Sequence, residues 1–142
     1  MNKVSDLLEN KGNEVWSIGP DVFVYDAIKL MAEKGVGALM VMDDSKVVGI
    51  ISERDYARKV ILMGHSSRET QIKDIMTTRV VYARPDQTVE ECMALMTEKH
   101  IRHLPIMEGE QLIGVISIGD LVKAIIAEQQ FTIEQLEKYI SG

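Results

Sequence analysis

The chain writes Gly-φ-φ-Ser-x-x-Asp twice, φ being apolar: Gly49-Ile50-Ile51-Ser52-Glu53-Arg54-Asp55 and Gly114-Val115-Ile116-Ser117-Ile118-Gly119-Asp120. In both places an apolar, strand-like run gives way to a helical pattern at the serine. Such a junction presents unpaired backbone N–H groups and the positive end of a helix dipole, a setting for an anionic group. Ser52 and Ser117 fall at the helix N-cap, with Asp55 and Asp120 three residues on. A carboxylate so placed can accept hydrogen bonds from two vicinal hydroxyls, as on a ribose. Ser-x-x-Asp is equally an approximate capping box, in which hydroxyl and carboxylate satisfy the helix's own first amides. The sequence supports both readings.

Other reactive residues are sparse. No pair of His, Cys, Asp or Glu has metal-ligand spacing, and no nucleophile–base pair or phosphate-binding P-loop stands out, which argues against an enzyme. Glu90-Glu91 and Asp43-Asp44 read as a helix start and a turn. His65 lies in a polar loop, and His100 at a helix end, where it complements the dipole. Cys92 aligns with Ala27 on a buried helix face and reads as inert core. As the single cysteine it makes no intrachain disulfide, so a reducing compartment follows.

The elements that must position the motif are themselves duplicated. Pro20-Asp21 returns as Pro85-Asp86 and Glu33-Lys34 as Glu98-Lys99, in unbroken register with the motif. A repeat of this length means one supersecondary unit made twice, with a pseudo-twofold axis and a cleft between the copies. In the first copy, Val15–Ile18 reads as a strand and Val24, Ala27, Ile28, Met31 and Ala32 as a helix face stopped by Gly35. Ala38–Met42 and Val47–Ile51 are strands joined by a turn at Asp43–Lys46, and a helix runs from Ser52 to about Met63. The second copy reads Val80–Ala83, Val89–Lys99, Leu104–Met107, a turn at Glu108–Glu110, Leu112–Ile116, then a helix from Ser117. The fold class expected is α/β (α+β), with tandem β-α-β-β-α repeats. Crossover through a helix makes the first two strands of each copy parallel. The organisation predicted is residues 1–70 for repeat one with its lead-in helix and linker, 71–127 for repeat two, and 128–142 for a helical tail. Thr132-Ile133-Glu134-Gln135 has capping-box spacing and marks the start of that tail helix.

The 142 residues are 46% hydrophobic and 27% charged, with net charge −6. That suffices for a real core and argues against nucleic-acid or anionic-membrane binding, both of which need a basic footprint. No signal-peptide core or membrane-length apolar run is present, so a cytoplasmic protein is expected. Met31, Met40, Met42, Met93, Met96 and Met107 fall on apolar positions and read as core filler.

Asp74-Ile75-Met76-Thr77, Pro85-Asp86, Arg102-His103-Leu104-Pro105-Ile106 and the two Gly-φ-φ-Ser-x-x-Asp motifs, in this order and spacing, resemble a cystathionine β-synthase (CBS) domain pair, or Bateman module. The resemblance runs from about Val4 to Ile126, with no other domain attached. It implies a non-enzymatic sensor that binds an adenine nucleotide (AMP, ADP, ATP or NAD) in two clefts and signals occupancy to a regulated protein partner. Ser52 with Asp55 would mark one cleft and Ser117 with Asp120 the other. Adenine packing would fall to Val15, Ile18, Gly37 and Ala38 in one copy, and to Thr77, Val80, Ala83 and Pro105 in the other. Arg54, Arg58, Arg102 and His103 are the candidate phosphate ligands, since a guanidinium fork suits paired oxygens. Arg54 and Arg58 are also i and i+4 on an exposed helix face, which fits simple solvation. The basic residues differ between copies, so unequal clefts are expected. A homodimer is expected as well, because the tail stripe Phe131, Leu136, Tyr139, Ile140 needs cover. The competing reading is an interaction scaffold with vestigial clefts.

Overall fold

Two runs carry the periodicity of a strand–helix–strand–strand unit. In the computed structural model, which describes residues 2–141, each folds around its own core. Helix α1 (Val4–Lys11) comes first, then β1 (Ser17–Ile18), α2 (Val24–Lys34), β2 (Ala38–Asp43) and β3 (Lys46–Ser52). The short α3 (Glu53–Tyr56) widens into a π turn at Ala57–Ile61. A 3-10 turn at Ile72–Asp74 precedes α4 (Val89–Lys99), β4 (His103–Glu108), β5 (Gln111–Ser117) and α5 (Ile118–Ser141).

One unit is Val15–Val80. Its sheet runs β1-β2-β3, with β1 parallel to β2 and β2 antiparallel to β3, as a helical crossover followed by a hairpin requires. Helix α2 turns Val24, Ala27 and Met31 inward and stops at Gly35, which takes the left-handed conformation (φ 66°, ψ 35°). The hairpin turns on Asp44 and Ser45, both at positive φ, the twist that matches flanking strands. Leu39, Val41, Ile51, Val60, Ile72 and Ile75 complete the core. Each fully buried aliphatic side chain contributes about 1.5–3 kcal/mol.

The other unit takes the residues up to Glu14 and those from Val81 onward. Helix α4 buries Val89, Cys92 and Met96 against β4 and β5, which carry the same register shift as the first hairpin. The strand predicted at Val80–Ala83 shrinks here to a single parallel bridge, Ala83 to Ile106. In the first unit the Met40 N–H donates to the Trp16 carbonyl at 3.1 Å. The aligned residue in β4 is Pro105, which has no N–H to give, so the ladder cannot extend.

The lead-in segments are exchanged between units. Helix α1 precedes the first repeat in sequence but packs into the second repeat's core through Val4, Leu7 and Leu8. The Val4 and Ser5 amides donate to the Gln87 and Pro85 carbonyls (2.9 and 3.0 Å). In the first unit, Ile72 and Lys73 donate to Val22 and Pro20 in the same way (2.9 Å each). The repeated Pro-Asp pairs therefore mark where a lead-in segment docks.

The capping box predicted at Thr132 does not form. Helix α5 continues through it, and the Thr132 hydroxyl donates to the Glu128 carbonyl at 3.1 Å. No Gly or Pro breaks the run after Gly119, and a mid-helix threonine satisfies its hydroxyl on the carbonyl four residues back. Among the described residues no helix is long and apolar enough to cross a membrane.

Candidate functional site

Strand β3 ends at Ser52, whose extended backbone (φ −124°, ψ 166°) turns the chain into α3. The Asp55 N–H donates to Ser52 Oγ at 3.2 Å. The Ser52 N–H and hydroxyl both donate to Asp55 Oδ2, at 3.0 and 3.1 Å. The other oxygen, Oδ1, accepts from Lys59 Nζ at 3.1 Å and the Thr77 hydroxyl at 3.4 Å. Lys59 also donates to the Ile75 carbonyl at 2.9 Å. The Asp55 side chain is only 13% exposed, so a carboxylate lies almost under the surface with every lone-pair direction engaged.

Asp120 repeats the frame with a different cation. The Ser117 N–H donates to Asp120 Oδ2 at 2.8 Å, and the Asp120 N–H to Ser117 Oγ at 3.2 Å. Lys11, the last residue of α1, places Nζ 2.6 Å from that same Oδ2 and 2.6 Å from the Val115 carbonyl. Both donors meet Asp120 at Oδ2, and the Ser117 side chain also bonds the carboxyl. Burial, the largest single influence, pushes this carboxyl up, but hydrogen bonds from Lys11 and Ser117 together outweigh it and hold Asp120 below the ordinary carboxylate value.

His103 opens β4 in the same unit. Burial chiefly, then the nearby Lys11 and Arg102 charges, lower its pKa below 6.5 against the opposing pull of Asp120. A histidine whose folded pKa is lowered keeps its stability contribution above the unfolded value. It loses that contribution as pH falls from about 6.5 towards the lowered value, because the unfolded chain binds the proton first. Asp120 adds a loss at lower pH, as its own carboxyl protonates. Denaturant titrations through the weakly acidic range should therefore show wild-type stability falling below pH 6.5, with a flatter profile for His103→Gln. Parallel profiles for the two proteins would refute the assignment.

The structure sorts the predicted residues by unit. Val15, Ile18, Gly37, Ala38, Ser52, Arg54, Asp55 and Arg58 fall in the Val15–Val80 unit. Thr77 and Val80 also belong there, which corrects their assignment to the second copy: Thr77 bridges Ile50 in β3 and bonds Asp55. Gly37 serves through its carbonyl, which accepts the Glu53 N–H at 3.0 Å; Arg102 does the same for Ile118 at 2.9 Å. Arg102, His103, Pro105, Ser117 and Asp120 share the other unit with Ala83. Ala83 is 2% exposed inside the core, so its side chain is not open to a base. Arg58 and Arg102 are exposed and Arg54 is half-buried. Sequence reasoning missed Lys59 and Lys11. The first was readable as the i+4 partner of Asp55, whereas nothing local announced the second.

Among the described residues no cluster of three or more His, Cys, Asp or Glu could hold a metal. Burial, then Glu91, pushes the Cys92 thiol up to about 11, which suppresses its nucleophilic thiolate.

A family model described as "CBS domain" matches residues 4–61 and 72–127. The "CBS domain-containing protein CBSX3, mitochondrial" of Arabidopsis thaliana is 39% identical over 149 residues, spanning 98% of this chain and 72% of the plant protein. A solved "putative signal-transduction protein with CBS domains" from Burkholderia ambifaria MC40-6 superposes with TM-score 0.87 at 54% identity, covering 93% of this chain and 99% of its own. The CBS domain pair of protein MJ0100, solved in complex with 5-methylthioadenosine and S-adenosyl-L-methionine, shares the fold (TM-score 0.79, 22% identity, 90% and 98% covered).

Proposed function

The chain belongs to the CBS domain family, and on that premise we propose that it is a non-enzymatic regulatory module for an adenine nucleotide (AMP, ADP, ATP or NAD). Asp55 and Asp120 receive the ribose hydroxyls. Ser52 and Ser117 hold those carboxylates in place. Arg54 and Arg58 in one unit, and Arg102, His103 and Lys11 in the other, attract phosphate. Val15, Ile18, Gly37, Ala38, Val80 and Pro105 offer apolar or small surface to the base. The module acts in the cytoplasm as a homodimer and reports to a protein partner.

The observation that carries this reading is the repeated carboxylate, built at both strand–helix junctions by the same serine frame and closed each time by a lysine of unrelated origin. Duplication alone explains the frame. It does not explain two lysines arriving from different elements, Lys11 from α1 and Lys59 from the π turn. A ribose hydroxyl competes with the lysine for the carboxylate. The displaced ammonium is then free for phosphate, and the element that carries it loses that one tether. Occupancy can bias a downstream state only through such a difference in contacts.

The same bonds favour the scaffold reading, since protein donors already satisfy Asp55. A thermal-shift panel of AMP, ADP, ATP, NAD, 5-methylthioadenosine and S-adenosyl-L-methionine separates the two. At a hundredfold excess over Kd, binding stabilises the fold by about 2.7 kcal/mol, a rise of several degrees in Tm. No shift with any member at millimolar concentration leaves the scaffold.

A further inference from the structure

Helix α5 runs well past the point where its counterpart in the first unit stops. Its last fully buried residue is Leu121, and Ala124 and Ile125 pack partly buried on the core; Val122, Ile126, Ile133, Leu136 and Ile140 are 42–83% exposed. With Gln129 these residues recur at alternating steps of four and three. The β-branched residues Ile126, Ile133 and Ile140 occupy the a positions of a heptad, with Leu136 at d. A groove of about 450 Å³ between α4 and α5 borders this stripe, lined by Glu90, Ile125, Glu128, Gln129, Thr132 and Ile133.

We infer that α5 pairs with α5 of a second copy of this chain in an antiparallel, two-helix seam. This rests on the homodimer proposed above and specifies its surface. Charge fixes the occupant and the direction. Lys123 and Glu137 both sit at e positions, and neither forms an ion pair among the described residues. An antiparallel pair centred near residue 131 stacks Ile126 on Leu136, Ile133 on Gln129 and Ile140 on Val122 of the other copy. In the same register Lys123 meets Glu137 of the other copy, twice by symmetry. A parallel pair would face these charges with Ile118 and Thr132. The seam is about 27 Å long at 1.5 Å per residue. Tyr139, at g, flanks it, and Phe131, at f, faces away from it.

Light scattering on the full chain at tens of micromolar should give a dimer, and Ile133→Glu a monomer, with Phe131→Glu still dimeric. Lys123→Glu should weaken dimerisation about five- to tenfold, and adding Glu137→Lys should restore it. A short bismaleimide should link Gln130→Cys to itself across the dimer but not Ile126→Cys, with wild type as the control for buried Cys92. A monomeric wild type overturns the seam and the homodimer together. A dimer that survives Ile133→Glu overturns the seam alone. Linkage through Ile126→Cys instead of Gln130→Cys overturns the antiparallel direction.

Discussion

Gly49→Ala is expected to cost about 3–6 kcal/mol, several times more than the same change at Gly114. Both glycines open the repeated motif, and both lie where a lead-in segment crosses a strand. A Cβ on Gly49 would stand 2.8 Å from Met76 Sδ and 2.9 Å from the Thr77 carbonyl oxygen. The second of these is backbone, held by a reciprocal pair with Ile50 (3.0 and 2.9 Å). Relief therefore requires Thr77 to withdraw, which breaks both bonds and removes its hydroxyl from Asp55. Overpacking accounts for about 1–3 kcal/mol and each lost bond for about 1 kcal/mol. On Gly114 the clash is with Leu8 Cδ2 at 2.7 Å, the end of a flexible side chain, which can rotate at about 1 kcal/mol. Urea midpoints of the two variants measure the difference. Equal losses, or a larger one at Gly114, would contradict this account of the motif's first residue.

The largest effects on ligand binding are expected at the motif's last residue. Asp55→Ala and Asp120→Ala should each abolish one of two unequal sites and spare the other. Losing hydrogen bonds to a charged acceptor costs about 1.5–3 kcal/mol apiece, at least tenfold in affinity. The sites differ because Asp55 takes donors on both oxygens, whereas Lys11 and the Ser117 amide meet Asp120 on Oδ2 and Arg102 and His103 lie in its unit. The tighter site should therefore be lost with Asp120. Calorimetric titration with the best nucleotide of the panel reads both stoichiometry and affinity. Two identical sites in the wild type, or unchanged binding in both variants, would reduce the carboxylates to helix caps.

Much of this was legible because it is local. Helices α2 and α4 follow from apolar spacing and their stops, the hairpins from short turns between apolar runs, and the serine–aspartate frame from two residues three apart. What escaped depends on distance along the chain. Leu8 reads as an apolar residue ahead of repeat one, and nothing near it says that Gly114 of repeat two was left bare to receive it. Lys11 reaches Asp120 for the same reason, and Thr77 was assigned by its place in sequence when its partner is Ile50. Two errors were local. Pro105 forbids a full first strand in the second copy, and Thr132 has the spacing of a cap but lies inside an uninterrupted helical run.

The most direct test of the central claim is a crystal structure of the chain with the nucleotide that shifts its Tm most. The account predicts ribose hydroxyls within hydrogen-bond distance of Asp120, and of Asp55 at higher occupancy, with Lys11 and Lys59 drawn off the carboxylates towards phosphate. A nucleotide bound elsewhere, with both lysines still closed on Asp120 and Asp55, would contradict it.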